Sequence, residues 1–383
     1  MRCCEASSEP WRVGVLFSQS GVMAVIEETQ LRATLLAIDE INGAGGINGR
    51  ELVPVIYDPQ SDPQNYALCA KRLIIDDDVT HIFGCYTSSS RKSVVPVVER
   101  MNGLLWYPTL YEGFEFSPNV IYTGATPNQN SLTLCSYLVE TYGCRFYFVG
   151  SDYVYPRESN RIMRELLKKK RGCVVSGETY LNLRAKPHDF RPLMRQIKNA
   201  GADVIFSTVV GDSTVYLYQA FAEMGLDPRV TPIASLTTTE SEVQAMGFDV
   251  AAGHVTAASY FQSVVSEQNE GFVRRYKARY GEGASTNMCA EAAYFQVHLF
   301  ANTLSRTNSM DTDIVHQMVQ GSDFEAPQGR IAVSSTNGHT DLWSRIGRVN
   351  RNGQFEIVRQ STVPVAADPF LIGCDHRNEA LTP

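Results

Sequence analysis

Residues 83–119 read FGCYTSSSRKSVVPVVERMNGLLWYPTLYEGFEFSPN. The apolar run Val79-Thr80-His81-Ile82-Phe83 leads in as a strand and breaks at Gly84. Tyr86 and the hydroxyl run Thr87, Ser88, Ser89, Ser90 follow. An amphipathic helix then interleaves Val94, Val95, Val97 and Val98 with Arg91, Lys92, Glu99 and Arg100. Strand, glycine, hydroxyl run and helix is the arrangement by which an α/β protein presents free backbone N–H groups at the carboxyl edge of a parallel sheet. A second short strand, Leu104-Leu105-Trp106, ends in Tyr107-Pro108-Thr109. Two successive strands therefore end in a phenol and a hydroxyl, which marks a binding edge.

Outward from this stretch the same rhythm repeats. Toward the N-terminus lie a buried strand, Val13–Phe17, ending in Ser18-Gln19-Ser20-Gly21, then a helix with an apolar stripe at Leu31, Leu35, Ile38 and Ile41. A strand over 51–57 and a helix ending near Ile75 follow. Beyond Asn119, a strand at 120–124 leads to a helix from Pro127, and the βα alternation restarts at Phe146–Val149 and continues to a strand at 254–260. Two rounds of βαβα predict two doubly wound parallel sheets. Helices near 267–280, 290–304 and 313–319 come next. In the β-rich tail, 343–349 and 353–358 pair as a hairpin across Asn350–Asn352.

Composition bounds the function. The 383 residues allow two domains; 44% are apolar and 20% charged, as in an ordinary globular chain. Acidic residues outnumber basic ones, 41 to 34, for a net charge of −7, which argues against a direct nucleic-acid surface. No apolar run reaches the roughly 18 residues of a membrane span. MRCCEASSEP precedes the first strand without an apolar signal region ahead of Cys3 and Cys4, so the expected location is cytoplasmic. The nine cysteines contain no C-x-x-C. Cys69 and Cys85 are the pair placed to approach one another, and a reducing compartment disfavours their bond.

Hydroxyls and phenols gather at the strand ends: Ser18 and Ser20, Tyr86 and Ser88, Tyr107 and Thr109, Tyr153 and Tyr155, Ser207 and Thr208, Thr237 and Thr238. Any single one reads as a helix cap; six such positions across both halves read as a lining. Tyr153 and Tyr155, two apart in an extended loop, face the same way. A neutral lining suits a small uncharged ligand such as an amide or urea, whereas a zwitterionic amino acid needs a carboxylate, for which Asp152 and Glu240 are the candidates. The seven histidines lie far apart with no metal-ligand spacing, His81 reads as a sheet histidine, and no nucleophile, zinc or phosphate-loop motif occurs. The run 168–171, KKKR, reads as a solvated helix end. The reading is of a binding protein, with no cofactor and no metal.

The segments FGCYTSSSRKSVVPVVE, YPTLYEGFEFSPNVIYTGATPNQN, GSDYVYPRESN, FSTVVG, ASLTTTESEV and AEAAYFQ follow, in order, the pattern of the amide- and urea-binding branch of the type I periplasmic-binding-protein family. The resemblance spans Trp11 to about Asp375. It implies two α/β lobes joined by a three-stranded hinge, lobe one being 11–123 and 258–330, lobe two 124–257 and 331–383. Tyr86, Ser88, Tyr107 and Thr109 would line the cleft from lobe one; Tyr153 and Tyr155 would close from lobe two, with Thr208 and Thr237 completing it. Within that branch the sequence is similar to cytoplasmic amide sensors, which hold an RNA-binding antiterminator inactive until a short amide releases it and so regulate amidase expression. The alternative is the solute-binding component of a urea or short-amide ABC transporter, which meets a membrane permease and is periplasmic. Either role leaves a homo-oligomer open. Cys289 departs from the pattern, standing where a larger side chain is expected.

Overall fold

The computed structural model describes residues 9–373 and the backbone of Leu381–Thr382; Cys3, Cys4 and His376 lie outside the described residues. The first unit runs β1 (Trp11–Leu16), α1 (Ala24–Gly43), β2 (Leu52–Tyr57), α2 (Pro63–Ile75), β3 (His81–Gly84), α3 (Ser88–Met101), β4 (Leu104–Tyr107) and β5 (Val120–Tyr122). Its five parallel strands are ordered β2-β1-β3-β4-β5. Alternation along each strand divides the core. Leu16, Ile82, Leu105 and Tyr107 face the α2–α3 side with Leu73, Val94 and Val98, while Val15, Phe83, Trp106 and Ile121 face the opposite side.

The second unit runs α4 (Pro127–Thr141), β6 (Arg145–Ser151), α5 (Val154–Lys168), β7 (Val174–Leu181), α6 (Pro187–Ala200), β8 (Val204–Thr208), α7 (Asp212–Glu223), β9 (Ile233–Ser235), α8 (Glu240–Met246), α9 (Phe248–Ala251) and β10 (Val255–Ala258). Its strands are ordered β7-β6-β8-β9-β10, the same pattern as the first sheet and equally parallel. The duplication expected from the rhythm is thus present in strand order, and the doubly wound α/β class holds. Each sheet reverses its winding beside its first strand, β1/β3 in one and β6/β8 in the other. Ligands of open α/β sheets bind at such switch points, beyond the carboxyl ends of the strands.

The chain then adds α10 (Glu267–Tyr280), α11 (Met288–Thr307) and α12 (Thr312–Val319), with α11 packed along α1 of the first unit. A small antiparallel sheet of β11 (Asp323–Ala326), β12 (Gly329–Val333) and β13 (Thr340–Asp341) follows. Finally β14 (Arg345–Val349), β15 (Phe355–Ser361) and β16 (Leu381–Thr382) extend the second sheet antiparallel beyond β10, with Val349 opposite Phe355 as the hairpin reading anticipated. The expected lobe boundary at 330/331 falls inside β12. The chain keeps to the first unit through β13, where Thr340 donates to the Tyr122 carbonyl at 2.9 Å, and rejoins the second sheet at Arg345. The boundary at 331 came from the resemblance, and strand alternation within the tail does not say which sheet a strand joins.

Residues 123–126, 259–266 and 342–344 cross between the units. Side-chain bonds to backbone carbonyls tie these crossings together. Gln129 Nε2 donates to the carbonyls of Thr340 and Val365, each at 2.9 Å. Arg345 donates to those of Ser259 and Gln328. Gln328 in turn donates its N–H and Nε2 to the buried Glu291 carboxyl, at 3.1 and 2.8 Å. No helix among the described residues is long and apolar enough to cross a membrane.

The first crossing admits no side chain at Gly124, where an added Cβ would lie 2.0 Å from the Thr109 carbonyl carbon. Gly124→Ala is expected to lower stability by about 1–3 kcal/mol through overpacking, read as a drop in the urea midpoint. Gly43→Ala, with open space around its Cβ, should leave the midpoint unchanged or raise it.

Candidate ligand site between the lobes

The carboxyl ends of both sheets face each other across a small cavity with about 200 Å3 of empty volume. Its lining is Tyr86, Ser88, Thr109, Leu110, Tyr153, Tyr155, Val210 and Thr237. Tyr86 and Ser88 follow β3, Thr109 and Leu110 follow β4, Tyr153 and Tyr155 follow β6, Val210 follows β8 and Thr237 follows β9. The sheet topology therefore delivers each of them to the switch points. Tyr86, Ser88, Thr109, Tyr155 and Thr237 are all buried, so the two units stand closed over the cavity. Asn287 holds that closure from α11, its Nδ2 reaching Thr29 Oγ1 and, across the cleft, Ser241 Oγ, each at 3.0 Å.

Local geometry sets each group. Cys85 adopts φ +71, an uncommon left-handed conformation for a residue with a side chain, and its N–H bonds to the Leu16 carbonyl at 3.0 Å. That turn swings Tyr86 over the sheet end and starts α3, where Thr87 caps the Ser90 N–H at 3.1 Å. Tyr153 and Tyr155 do not sit in an extended loop. Tyr153 is the extended residue before α5 and Tyr155 is already in its first turn. They nevertheless meet, their rings 6.3 Å apart and tilted by 36°, because the helix begins between them.

Two of the eight residues expected to line the cleft sit behind it. Tyr107 donates its phenol to the Tyr86 carbonyl at 2.8 Å, and Thr208 donates to Asn160 Oδ1 at 3.0 Å. Ser18, Ser20, Ser207 and Thr238 likewise serve structural bonds: Ser18 to Tyr66, Ser20 to Asp58, Ser207 to the Val209 N–H and Thr238 to Tyr218. Leu110 and Val210 were missed. As apolar residues two or three places beyond a strand end, they differ in no way from core residues in the sequence. Cys289 is buried outside the lining; burial raises the Tyr86 phenol, and the nearby Cys289 thiol adds to it.

Behind Ser88 lies a buried charge cluster. Arg91, expected on a polar face, has 0% exposure. It reaches Glu112 at 3.1 Å and Glu115 at 2.8 Å, and its Nη1 donates to Ser88 Oγ at 3.1 Å. Burial works to raise the Glu115 carboxyl, but the Arg91 guanidinium outweighs it and holds it down at about 2.

The protons of the Ser88, Thr109 and Thr237 hydroxyls point into the protein. Ser88 donates to the Glu112 carboxylate, which can only accept. Thr109 donates to the Cys85 carbonyl at 3.3 Å and accepts from Gln30 Nε2 at 3.0 Å. Thr237 donates to the Val209 carbonyl at 2.8 Å. These hydroxyls therefore offer lone pairs to the cavity. The buried Tyr155 hydroxyl is the opposite case: it has no partner in hydrogen-bond geometry, Ser159 one turn on lying close but misaligned. No charged side chain lines the space. Asp152 is exposed and paired with Arg157 at 2.7 Å. Burial pushes Glu240 up to about 8 even though it accepts the Gln262 N–H at 2.7 Å. His81 is neutral in the sheet, burial pushing it down to about 4 while its Nε2 meets the Met310 carbonyl at 3.0 Å. Among the described residues no cluster of His, Cys, Asp and Glu could hold a metal ion.

With this geometry in place, comparison with known proteins is informative. Residues 11–375 match the family described as the periplasmic binding protein domain. The leucine-, isoleucine-, valine-, threonine-, and alanine-binding protein of Pseudomonas aeruginosa is 23% identical over 319 residues, 82% of each chain. A solute binding protein of an ABC transporter from Rhodopseudomonas palustris HaA2, solved with p-hydroxybenzoic acid, superposes with a TM-score of 0.85 at 21% identity, covering 96% of this chain and all of that one. The branched-chain amino acid transporter substrate binding protein of Streptococcus pneumoniae, solved with isoleucine, gives 0.79 at 20% identity, covering 91% of this chain and 99% of that one.

Removing Arg91 would strand two carboxylates. Arg91→Met is expected to cost about 3–5 kcal/mol, measured by urea unfolding at pH 7. Because the Glu115 carboxyl is depressed in the folded state, its contribution is present above about 4.5 and lost as pH falls through about 2. The wild-type midpoint should therefore drop across that window, and the variant should drop less.

Proposed function

We infer that this chain, which belongs to the periplasmic binding protein domain family, is the solute-binding component of an ABC importer that takes a small neutral amide or urea. The observation that carries the ligand class is the direction of the lining protons. Ser88, Thr109 and Thr237 accept and Tyr155 donates, with no charge among the lining side chains. A primary amide or urea supplies NH2 protons to the first three and a carbonyl to the fourth. A benzoate would turn its carboxylate on lone pairs, and an amino acid would leave its ammonium without a counter-charge. Within this reading Tyr86, Ser88, Thr109, Tyr153, Tyr155 and Thr237 contact the ligand, and Tyr107 and Thr208 position them.

Transport is preferred to regulation because the two solved structures named above are binding proteins of transporters. By the same reasoning we place the protein in the periplasm, with a permease as partner, rather than in the cytoplasm with an antiterminator. The residue-level resemblance to amide sensors supports the second reading, in which the same pocket controls amidase expression. Both readings make the chain a binding protein without catalytic chemistry.

Calorimetric titration with acetamide, urea, butyramide, leucine and 4-hydroxybenzoate tests the ligand class. Saturable binding of an amide or urea is expected, weakened roughly 3- to 10-fold in Tyr155→Phe, the loss of one neutral hydrogen bond. Binding confined to leucine or 4-hydroxybenzoate would refute the class. Deleting the gene should abolish uptake of labelled ligand; a changed amidase transcript with normal uptake would favour the sensor.

A further inference from the structure

We propose that Cys144 and Cys173 form a disulfide that staples strand β7 to β6 in an oxidising compartment. The strand register brings them together. Arg145 is opposite Val174 in the parallel β6–β7 pair, each cysteine immediately precedes its strand, and the Val174 N–H bonds to the Cys144 carbonyl at 2.8 Å. Neighbouring strands lie about 4.8 Å apart, within the roughly 4.4–6.8 Å that bridged Cα atoms span. Both are free thiols here and both are partly exposed, whereas Cys85, Cys135 and Cys289 are buried. Burial, together with the Cys144 thiol as a hydrogen-bond partner, pushes the Cys173 thiol up to about 12, a further sign that the two sulfurs face one another.

The position favours a staple. Strand β7 is the outer edge of the eight-stranded sheet, with no residue fully buried along its length. A bond at its start closes β6 and α5 into one loop, residues 144–173, and restricts the unfolded chain. That end of β6 is the one away from the cavity, since Tyr153 and Tyr155 follow the strand's other end after roughly 23 Å of chain. The staple therefore adds stability without touching the ligand.

The chemistry balances with a disulfide as oxidant. The Cys144 thiolate attacks one sulfur of that disulfide, expelling a thiol and leaving a mixed disulfide. Cys173 gives its proton to solvent and attacks Cys144 Sγ, expelling the second thiol. Two protein thiols are oxidised and one disulfide is reduced to two thiols.

The biological setting rests on the periplasmic reading above, but the test does not. The purified chain is incubated with glutathione disulfide, and its peptides are mapped by mass spectrometry with and without dithiothreitol. A reducible link between the Cys144 and Cys173 peptides is expected, with Tm a few degrees higher than in the reduced protein and no such shift in Cys144→Ser or Cys173→Ser. Amide affinity should be the same in both redox states. Stable glutathione adducts without the internal link, a link between Cys69 and Cys85 instead, or a link with unchanged Tm would overturn the proposal. A link forming in a protein that binds no amide would refute only the ligand reading.

Discussion

A guanidinium with no exposed surface organises one side of the cavity. Arg91 lies over the rings of Tyr107 and Tyr111, 4.9 and 4.6 Å from their centroids, and is paired with Glu112 and Glu115. Taking these charges from water is costly, and the cost is offset only by good geometry and by filling the remaining hydrogen-bond positions. Ser88 fills one of them, and that requirement decides where its proton goes. The polarity of a ligand-facing hydroxyl is thus set by electrostatics a layer below the surface it presents.

The same logic extends around the cavity. Thr109 is held between Gln30 and the Cys85 carbonyl, and Cys85 reaches that position through a left-handed turn closing on Leu16. On the other side of the cavity, Thr237 is committed to the carbonyl of Val209 in its own lobe. Preorganised acceptors on buried side chains discriminate strongly, because a ligand lacking the matching protons leaves buried polar groups unpaired. The hinge carries a related pattern. Gln129 and Arg345 each bind two backbone carbonyls far apart in the chain, and Gln328, which accepts from Arg345, is itself anchored on Glu291, so bending there must move coupled segments together.

Much of this was legible in the chain. The alternation of short apolar strands with amphipathic helices, and a phenol or hydroxyl at successive strand ends, led to two doubly wound sheets and to six of the side chains that now surround the cavity. The burial of Arg91 was also within reach. It shares the helical stripe of Val94 and Val98 at spacings of three and seven, a cation on an apolar face. Other features left no trace. Tyr107 and Thr208 carry the same residue types at the same positions as lining groups, yet point their hydroxyls at a neighbour.

What the sequence determined by itself is what depends on local periodicity: element type, strand order by repetition, the neutral character of the strand ends. Tertiary structure alone decided what depends on distant partners. Which sheet receives β12, β13 and β14, which cysteines meet, and which way each hydroxyl donates are settled by groups tens or hundreds of residues away. A hydroxyl has one proton and several acceptors within reach of its rotation, and only the packed neighbourhood selects among them.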